Sequence, residues 1–137
     1  MNDAPNPISP SEGAATGGVR LMLRLEGLAV LAAATSVYFL AGGNPWLFAI
    51  VFFMPDLSFL AYVINARVGA AAYNAVHTYI LPLALAGAGW SLEIEPLWQI
   101  ALIVAAHAGF DRSLGYGLKY ASAFSHTHLG AIGRKAE

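Results

Sequence analysis

Two histidines and two aspartates fall within long apolar stretches of this sequence: Asp56, His77, His107 and Asp111. An ionisable side chain in apolar surroundings is energetically costly, so each of these residues needs an explanation. Imidazole nitrogens and carboxylate oxygens are ligands of zinc and of iron. A carboxylate beside such an ion can act as a general base for a bound water. The residue types therefore indicate a metal site, and a proton-transfer site is the alternative.

The spacing of these residues predicts that they share helix faces. Tyr73 and Asn74 precede His77 by four and three residues, and His107 precedes Asp111 by four. Residues three or four apart lie on one face of an α-helix. At a rise of 1.5 Å per residue, Asp56 and His77 lie ~12 and ~13 Å from the ends of their helices. We therefore expect one polar layer inside a helical bundle.

A further pair of imidazoles, His126 and His128, lies in the C-terminal segment. A tail that docks against the helices would bring a third imidazole to the polar layer. Spacing alone leaves a second interpretation open, in which His and Asp bond to Asn74 and Tyr73 and stabilise packing by about 0.6 kcal/mol per bond. Asp111, next to Arg112, is also compatible with the charged end of a helix.

Four apolar runs carry these residues: 25–43, 46–64, 68–90 and 97 to about 114. Each is close to the ~20 residues that a helix needs to cross a ~30 Å hydrocarbon layer. The runs lack the polar stripe of a soluble helix, and their links are short, which makes neighbouring helices antiparallel. The predicted fold is all-α: an integral membrane protein with four transmembrane helices in an antiparallel up-down bundle.

Composition divides the chain into three parts and predicts its orientation. Residues 1–19 contain three prolines and form a disordered N-terminal tail, residues 20–118 form the transmembrane domain, and residues 119–137 form a cytoplasmic tail. All seven Lys and Arg residues lie before the first run, in the middle link, or at and beyond the end of the fourth run. The bias of Lys and Arg toward cytoplasmic segments places both termini on the cytoplasmic side of the inner (plasma) membrane. A cleaved signal peptide over the first run is the weaker alternative, because that run is longer than a usual signal core.

The overall composition excludes several classes of function. Hydrophobic residues make up 58% of the chain, charged residues 11%, and the net charge is −1, so no basic surface for nucleic acid is expected. The chain has no cysteine, which excludes disulfides and thiolate ligands. The expected partner is the lipid bilayer, and a second copy of the chain is left open.

Several short motifs resemble a family of small bacterial four-helix membrane proteins catalogued as a domain of unknown function. The resemblance covers about residues 20 to 133 and rests on the segments 55–58, 67–79, 107–120 and 127–130. It implies the four-helix fold and the membrane location, and no activity. It also singles out six pattern residues, with His128 favoured over His126: Asp56, Asn74, His77, His107, Asp111 and His128.

These observations support three hypotheses. In the first, a zinc (or iron) ion bound by His77, His107 and His128 hydrolyses a lipid-like substrate at the cytoplasmic side, with Asp56 as acid or base and Asp111 completing the site. In the second, the same layer relays protons or cations, which would need a homo-oligomer. In the third, the chain is a structural or partner-binding membrane subunit, so whether it is an enzyme stays open.

Overall fold

The computed structural model describes residues 12–133, which are mostly helical. The helices are α1 (Gly17–Leu40), α2 (Pro45–Phe53), a 3-10 helix (Met54–Val63), α3 (Ala66–His77), α4 (Ile80–Ser91) and α5 (Glu95–Leu114). A short antiparallel hairpin follows, with β1 (His126–Thr127) and β2 (Gly130–Ala131). Residues 1–11 of the predicted N-terminal tail lie outside the described part, as do Arg134 and Lys135.

Two helical segments of the described chain are long and apolar enough to cross a membrane, Gly17–Leu40 and Pro45–Val63. The second consists of α2 and the 3-10 helix, which follow each other without a gap. Large apolar side chains along both segments are exposed, among them Leu21, Leu40 and Leu60. The structure therefore contains two candidate membrane helices where the sequence pattern predicts four.

The predicted third run, 68–90, is not one helix. Pro82 is the third residue of α4, and a proline has no N–H to donate to the carbonyl four residues earlier, that of Thr78. The backbone of Thr78 is extended, and α3 ends at His77. The carbonyl of His77 instead accepts a hydrogen bond from the Arg112 guanidinium at 3.3 Å. The break thus places His77 at a helix end, where a side chain of α5 fixes it.

The central helix of the fold is α5, against which α1 and α4 pack. Its middle section is buried, including Ile103, Val104 and His107. Gly27 of α1 and Gly109 of α5 meet with almost no space between the backbones, because a Cβ added to Gly109 would lie 2.6 Å from the carbonyl oxygen of Gly27. Small residues at such a crossing allow close helix packing, and the packing holds the inner face of α5 in place.

The 3-10 helix packs antiparallel against α3 along a ladder of three contacts. In a 3-10 helix, residues three apart lie above one another, about 6 Å along the axis; in an α-helix, residues four apart are separated by about the same rise. The two spacings match, so three successive pairs meet. The pairs are Asp56 with His77, Phe59 with Tyr73, and Tyr62 with Gly69. The ladder therefore places Asp56 next to His77.

The segment after α5 folds back onto the bundle. Gly115 ends α5 with a φ of 94°, in the left-handed region that favours glycine. The side-chain amide of Asn74 then bonds both backbone groups of Lys119, accepting from its N–H at 2.7 Å and donating to its C=O at 2.8 Å. Thr127 and Leu129 of the hairpin are fully buried. The segment therefore packs against α3 beside the polar layer.

Candidate metal site

Four side chains from three elements converge at one point. The Nε2 atoms of His77 and His107 are 3.0 Å apart. Oδ1 of Asp56 lies 3.6 Å from Nε2 of His77 and 3.4 Å from Nε2 of His107. Oδ2 of Asp111 lies 3.4 and 3.6 Å from the same two nitrogens. The 3-10 helix, α3 and α5 thus bring together two imidazoles and two carboxylates whose ligand atoms all lie within 4.8 Å of one another.

The measured separations match the edges of a tetrahedral metal site. Zinc binds His nitrogen and carboxylate oxygen at about 2.0 to 2.1 Å, and the edges of a regular tetrahedron with such bonds are about 3.3 to 3.4 Å long. Five edges of the four-atom group measure 3.0 to 3.6 Å. The group could therefore hold a metal ion with only small side-chain adjustments.

Hydrogen bonds from neighbouring groups orient two of these four side chains. Nδ1 of His77 lies 2.9 Å from the carbonyl oxygen of Tyr73, so the proton on this ring belongs on Nδ1 and Nε2 keeps its lone pair for the cluster. The hydroxyl of Tyr73 donates to Oδ2 of Asp111 at 3.0 Å, and its ring stacks on His77 with centroids 3.7 Å apart. Such outer contacts are typical of metal ligands in proteins.

His107 has a different environment on the apolar side of the cluster. Its Nδ1 is buried and has no hydrogen-bond partner among the described residues. The ring packs edge-on against Phe52. Because Nδ1 is unpartnered, every polar contact of His107 is made by Nε2, which faces the other three ligand atoms.

The four members differ in exposure. The side chains of His77 and His107 are each 2% exposed and that of Asp111 is 13% exposed, whereas that of Asp56 is 38% exposed. Asp56 and Asp111 line a cavity of about 340 Å³, with Phe59, Phe110 and Phe124 among its other walls. The cluster is therefore closed on the histidine side and accessible on the side of Asp56.

A family described as a domain of unknown function, DUF4260, matches residues 20–132. The chain belongs to this family. The predicted resemblance, over about residues 20 to 133, is thereby confirmed. No curated protein and no solved structure matches the chain.

In this member of the DUF4260 family, His128 is not part of the four-residue group. Its Nδ1 accepts a hydrogen bond from the backbone N–H of Leu118 at 2.8 Å, and the backbone N–H of His128 donates to the Leu118 carbonyl at 3.1 Å. Burial lowers the pKa of the His128 imidazole, and the nearby Arg112 charge lowers it further. The C-terminal segment docks against the helices, as expected. The His128 imidazole, however, bonds to Leu118 of the same segment and does not reach the cluster. The sequence cannot distinguish these roles, because both need only a histidine near the bundle.

A cation that the sequence analysis did not single out lies on the wall of the same cavity. The side chain of Lys119 is buried, and its Nζ donates to the carbonyl of Phe124 at 2.8 Å. Burial lowers the pKa of the Lys119 ammonium to about 8, although the Asp111 carboxylate acts in the opposite direction. The sequence carries no signal that a lysine of the predicted cytoplasmic tail is buried. The position of Lys119 depends on a hydrogen bond with Asn74, which lies 45 residues earlier in the chain.

Proposed function

We propose that this protein is a zinc-dependent membrane hydrolase acting on an amphipathic substrate. The observation that carries the proposal is the convergence of two imidazoles and two carboxylates beside a cavity that one of the carboxylates, Asp56, faces. When bound, a zinc ion would lower the pKa of a water toward 7 and polarise the bond to be cleaved. Hydrolysis is the simplest reaction that such a centre supports.

The differences in exposure assign the roles. His77, His107 and Asp111 are the resident ligands, since they are the three least exposed members of the group. Asp56 is the acid–base residue, because it is the most exposed member of the group and lines the cavity. It would take a proton from the attacking water and return it to the leaving oxygen. Three protein ligands leave a fourth position for substrate or water, as in catalytic zinc sites.

The membrane part of the proposal rests on exposed apolar surface and on charge. Soluble monomers rarely expose large contiguous apolar patches, yet α1, α2 and the 3-10 helix do so along their length. The seven Lys and Arg residues fall in the segments that share one side of a four-crossing chain. We therefore propose four crossings, with α3 and α4 together forming the third, and both termini in the cytoplasm.

A proton or cation pathway is less well supported by the surroundings of the cluster. From His107 toward the start of α5, the next buried side chains are those of Ala106, Val104, Ile103 and Ala101, which cannot relay an ion. All four members of the cluster also come from one chain, so the site needs no second copy. A hydrolytic pocket open on one side fits these neighbours better than a continuous path.

Metal analysis of the full chain, purified in detergent, tests the metal centre. We expect about one zinc per chain, and a loss of that zinc in the His107→Ala variant. The matched control is His126→Ala, because Nδ1 of His126 contacts only the exposed Ser122 hydroxyl. Zinc-free wild-type protein after growth with added zinc would refute the proposal.

Turnover of a small panel of amphipathic esters, which includes p-nitrophenyl hexanoate and a short-chain phospholipid, tests the hydrolase. The Asp56→Asn variant should keep its zinc and lose most turnover, on the order of 100-fold or more, since it lacks the acid–base group. If Asp56→Asn hydrolyses the panel at the wild-type rate, the role assigned to Asp56 is wrong. If the zinc-loaded wild type cleaves no member of the panel, the hydrolase is wrong.

A further inference from the structure

The ammonium of Lys119 is buried beside the cluster with most of its hydrogen-bonding capacity unused. The residue is 4% exposed. An ammonium has three N–H donors, and among the described residues Nζ makes one hydrogen bond, to Phe124. Its other neighbours are aromatic faces, with Nζ 3.6 Å from the ring centre of Phe124 and 4.8 Å from that of Tyr73. A buried charge with two unused donors is costly unless a ligand uses them.

The fold holds this lysine in place by its backbone. Asn74 bonds both the N–H and the C=O of Lys119, so the position is fixed whatever the side chain does. The same cavity is lined by Lys119, Asp56 and Asp111, and aromatic rings form much of the remaining wall. Among the lining residues, all of which belong to the described part of the chain, Lys119 is the one cation.

The charges in this cavity indicate what would complete it. A divalent ion with the Asp56 and Asp111 carboxylates sums to zero, and Lys119 adds one positive charge. A ligand with one negative charge would bring the total to zero, whereas a dianion would leave an uncompensated charge in a poorly hydrated site. A phosphodiester carries one negative charge, and it contains a bond that a zinc centre can hydrolyse.

We infer that the substrate is a phosphodiester whose anionic oxygen Lys119 binds while the phosphorus faces the cluster. This inference rests on the proposed hydrolase function and names its substrate class. The aromatic walls suit the apolar part of an amphiphile such as a phospholipid, and Leu57 and Leu60, which follow the lining residues Asp56 and Phe59 in the chain, are exposed apolar residues. A water-soluble phosphodiester offers Lys119 the same chemistry.

The reaction balances with water as the other reactant. A bond forms between the water oxygen and phosphorus, and the ester bond to the leaving oxygen breaks with its electron pair. Asp56 accepts one proton of the water and passes it to the leaving oxygen. The products are an alcohol and a phosphate monoester that keeps the second proton of the water, so no oxidant or reductant is needed.

The test compares three substrates on the zinc-loaded full chain in detergent. Dihexanoylphosphatidylglycerol is an amphipathic phosphodiester, glycerophosphoglycerol is a water-soluble one, and p-nitrophenyl hexanoate is a neutral ester. In Lys119→Met, which keeps the length of the apolar stem, we expect KM for the phosphodiesters to rise about 10- to 100-fold, as loss of a charge-assisted hydrogen bond would cause. KM for the neutral ester should stay the same, and Lys119→Arg should recover most of the phosphodiester affinity.

The control is Arg67→Met, which removes the same charge from an exposed residue and should change none of the three values. Zinc content and thermal unfolding confirm that each variant is folded; if Lys119→Met is not, Lys119→Arg and Lys119→Gln provide the same charge comparison. Cleavage is scored at the phosphodiester bond, because hydrolysis of the two acyl esters of the lipid would release hexanoate instead. Phosphodiester cleavage in the lipid alone identifies a membrane source, and cleavage of both phosphodiesters supports the inference with either source.

Hydrolysis of the neutral ester without either phosphodiester would overturn the substrate class while leaving the proposed hydrolase intact. An equal rise in KM for all three substrates in Lys119→Met would also overturn the inference, because that result is expected if Lys119 has only a structural role. Failure of the hydrolase itself is a different result: no cleavage of any ester by zinc-loaded wild-type protein.

Discussion

Two of the cavities in the described part of the chain are of similar size and opposite character. One, of about 400 Å³, lies between α1, α4 and α5 and is lined by apolar side chains such as Val30, Leu83 and Leu102. The other, of about 340 Å³, holds Asp56, Asp111 and Lys119. Volume alone does not distinguish a functional site from a gap between helices. Polar groups that converge on a cavity do distinguish a functional site, because such groups are costly to bury unless they bind a partner or a ligand.

The backbone around the two cavities differs in the same way. Regular α-helices line the apolar cavity, so its side chains follow the usual helical spacing. The polar cavity is lined by residues of the 3-10 helix, α3, α5 and the segment after α5. Of the three elements that carry the four ionisable groups, only α5 continues as a regular α-helix on both sides of its members. Asp56 lies in the 3-10 helix, next to Pro55, and His77 is the last residue of α3, before the extended Thr78.

The largest expected difference between the two cavities is in metal binding. Asp111→Ala removes a ligand, and we expect zinc affinity to fall on the order of 1000-fold, by analogy with the share of one ligand in a structural zinc site. Leu83→Ala removes a side chain of similar size from the apolar cavity and should leave zinc affinity unchanged. Competition with a zinc chelator measures both. Equal affinities in the two variants would contradict the assignment of the site.

The ladder between the 3-10 helix and α3 predicts a difference between two glycines. In Gly69→Ala, the added Cβ would overlap the ring of Tyr62, and the free energy of unfolding should fall by about 1 to 3 kcal/mol. Gly87, on α4, has open space around it, so Gly87→Ala should be neutral or slightly stabilising in a helix. Thermal unfolding in detergent compares them. A Gly69→Ala variant as stable as Gly87→Ala would show that the ladder is not tightly packed.

Two tyrosines on facing elements separate orientation of the cluster from packing. Tyr73→Phe removes the hydrogen bond to Asp111 and should weaken zinc binding about 10- to 100-fold. Tyr62→Phe is the control, because the Tyr62 hydroxyl is buried with no partner in the described chain. Chelator competition again provides the measurement. Unchanged affinity in Tyr73→Phe would mean that Asp111 needs no support from Tyr73.

The lowered pKa of Lys119 predicts how phosphodiester binding depends on pH. Only the protonated amine binds an anion, and with a pKa of about 8 the charged fraction falls as the pH rises above that value. KM should therefore increase about 10-fold per pH unit above pH 8. The other charged side chains that line the cavity are the carboxylates of Asp56 and Asp111. Lys119→Arg should show a flat profile between pH 7 and 9, and a wild-type profile that is equally flat would contradict the role of Lys119.

The smallest expected effect concerns the histidine of the tail. His128→Ala should leave zinc content unchanged, because Nδ1 of His128 is bonded to Leu118. A modest loss of stability, about 1 kcal/mol, is expected from the lost hydrogen bond. Loss of zinc in this variant would restore His128 as a ligand, as the family resemblance implied.

The membership of the cluster follows largely from local rules. His107 and Asp111 are four apart on one helix, and that helix forms because its apolar run is long and uninterrupted. Asp56 and His77 were placed at similar depths by counting along the runs, and the structure brings them together. An ionisable side chain on an apolar helix is costly to expose to hydrocarbon, so the interior of the bundle is its expected location.

The sequence by itself therefore determined that the chain is helical and apolar, and it predicted one polar layer with Asp56, His77, His107 and Asp111, since helical period and burial cost act over a few residues. Only the tertiary structure decided the 3-10 register opposite α3, the role of His128 and the presence of Lys119 in the cavity wall. Each depends on contacts between residues far apart in the chain, such as that of Asn74 with Lys119. Such contacts are fixed by the packing of whole elements, for which no local pattern codes.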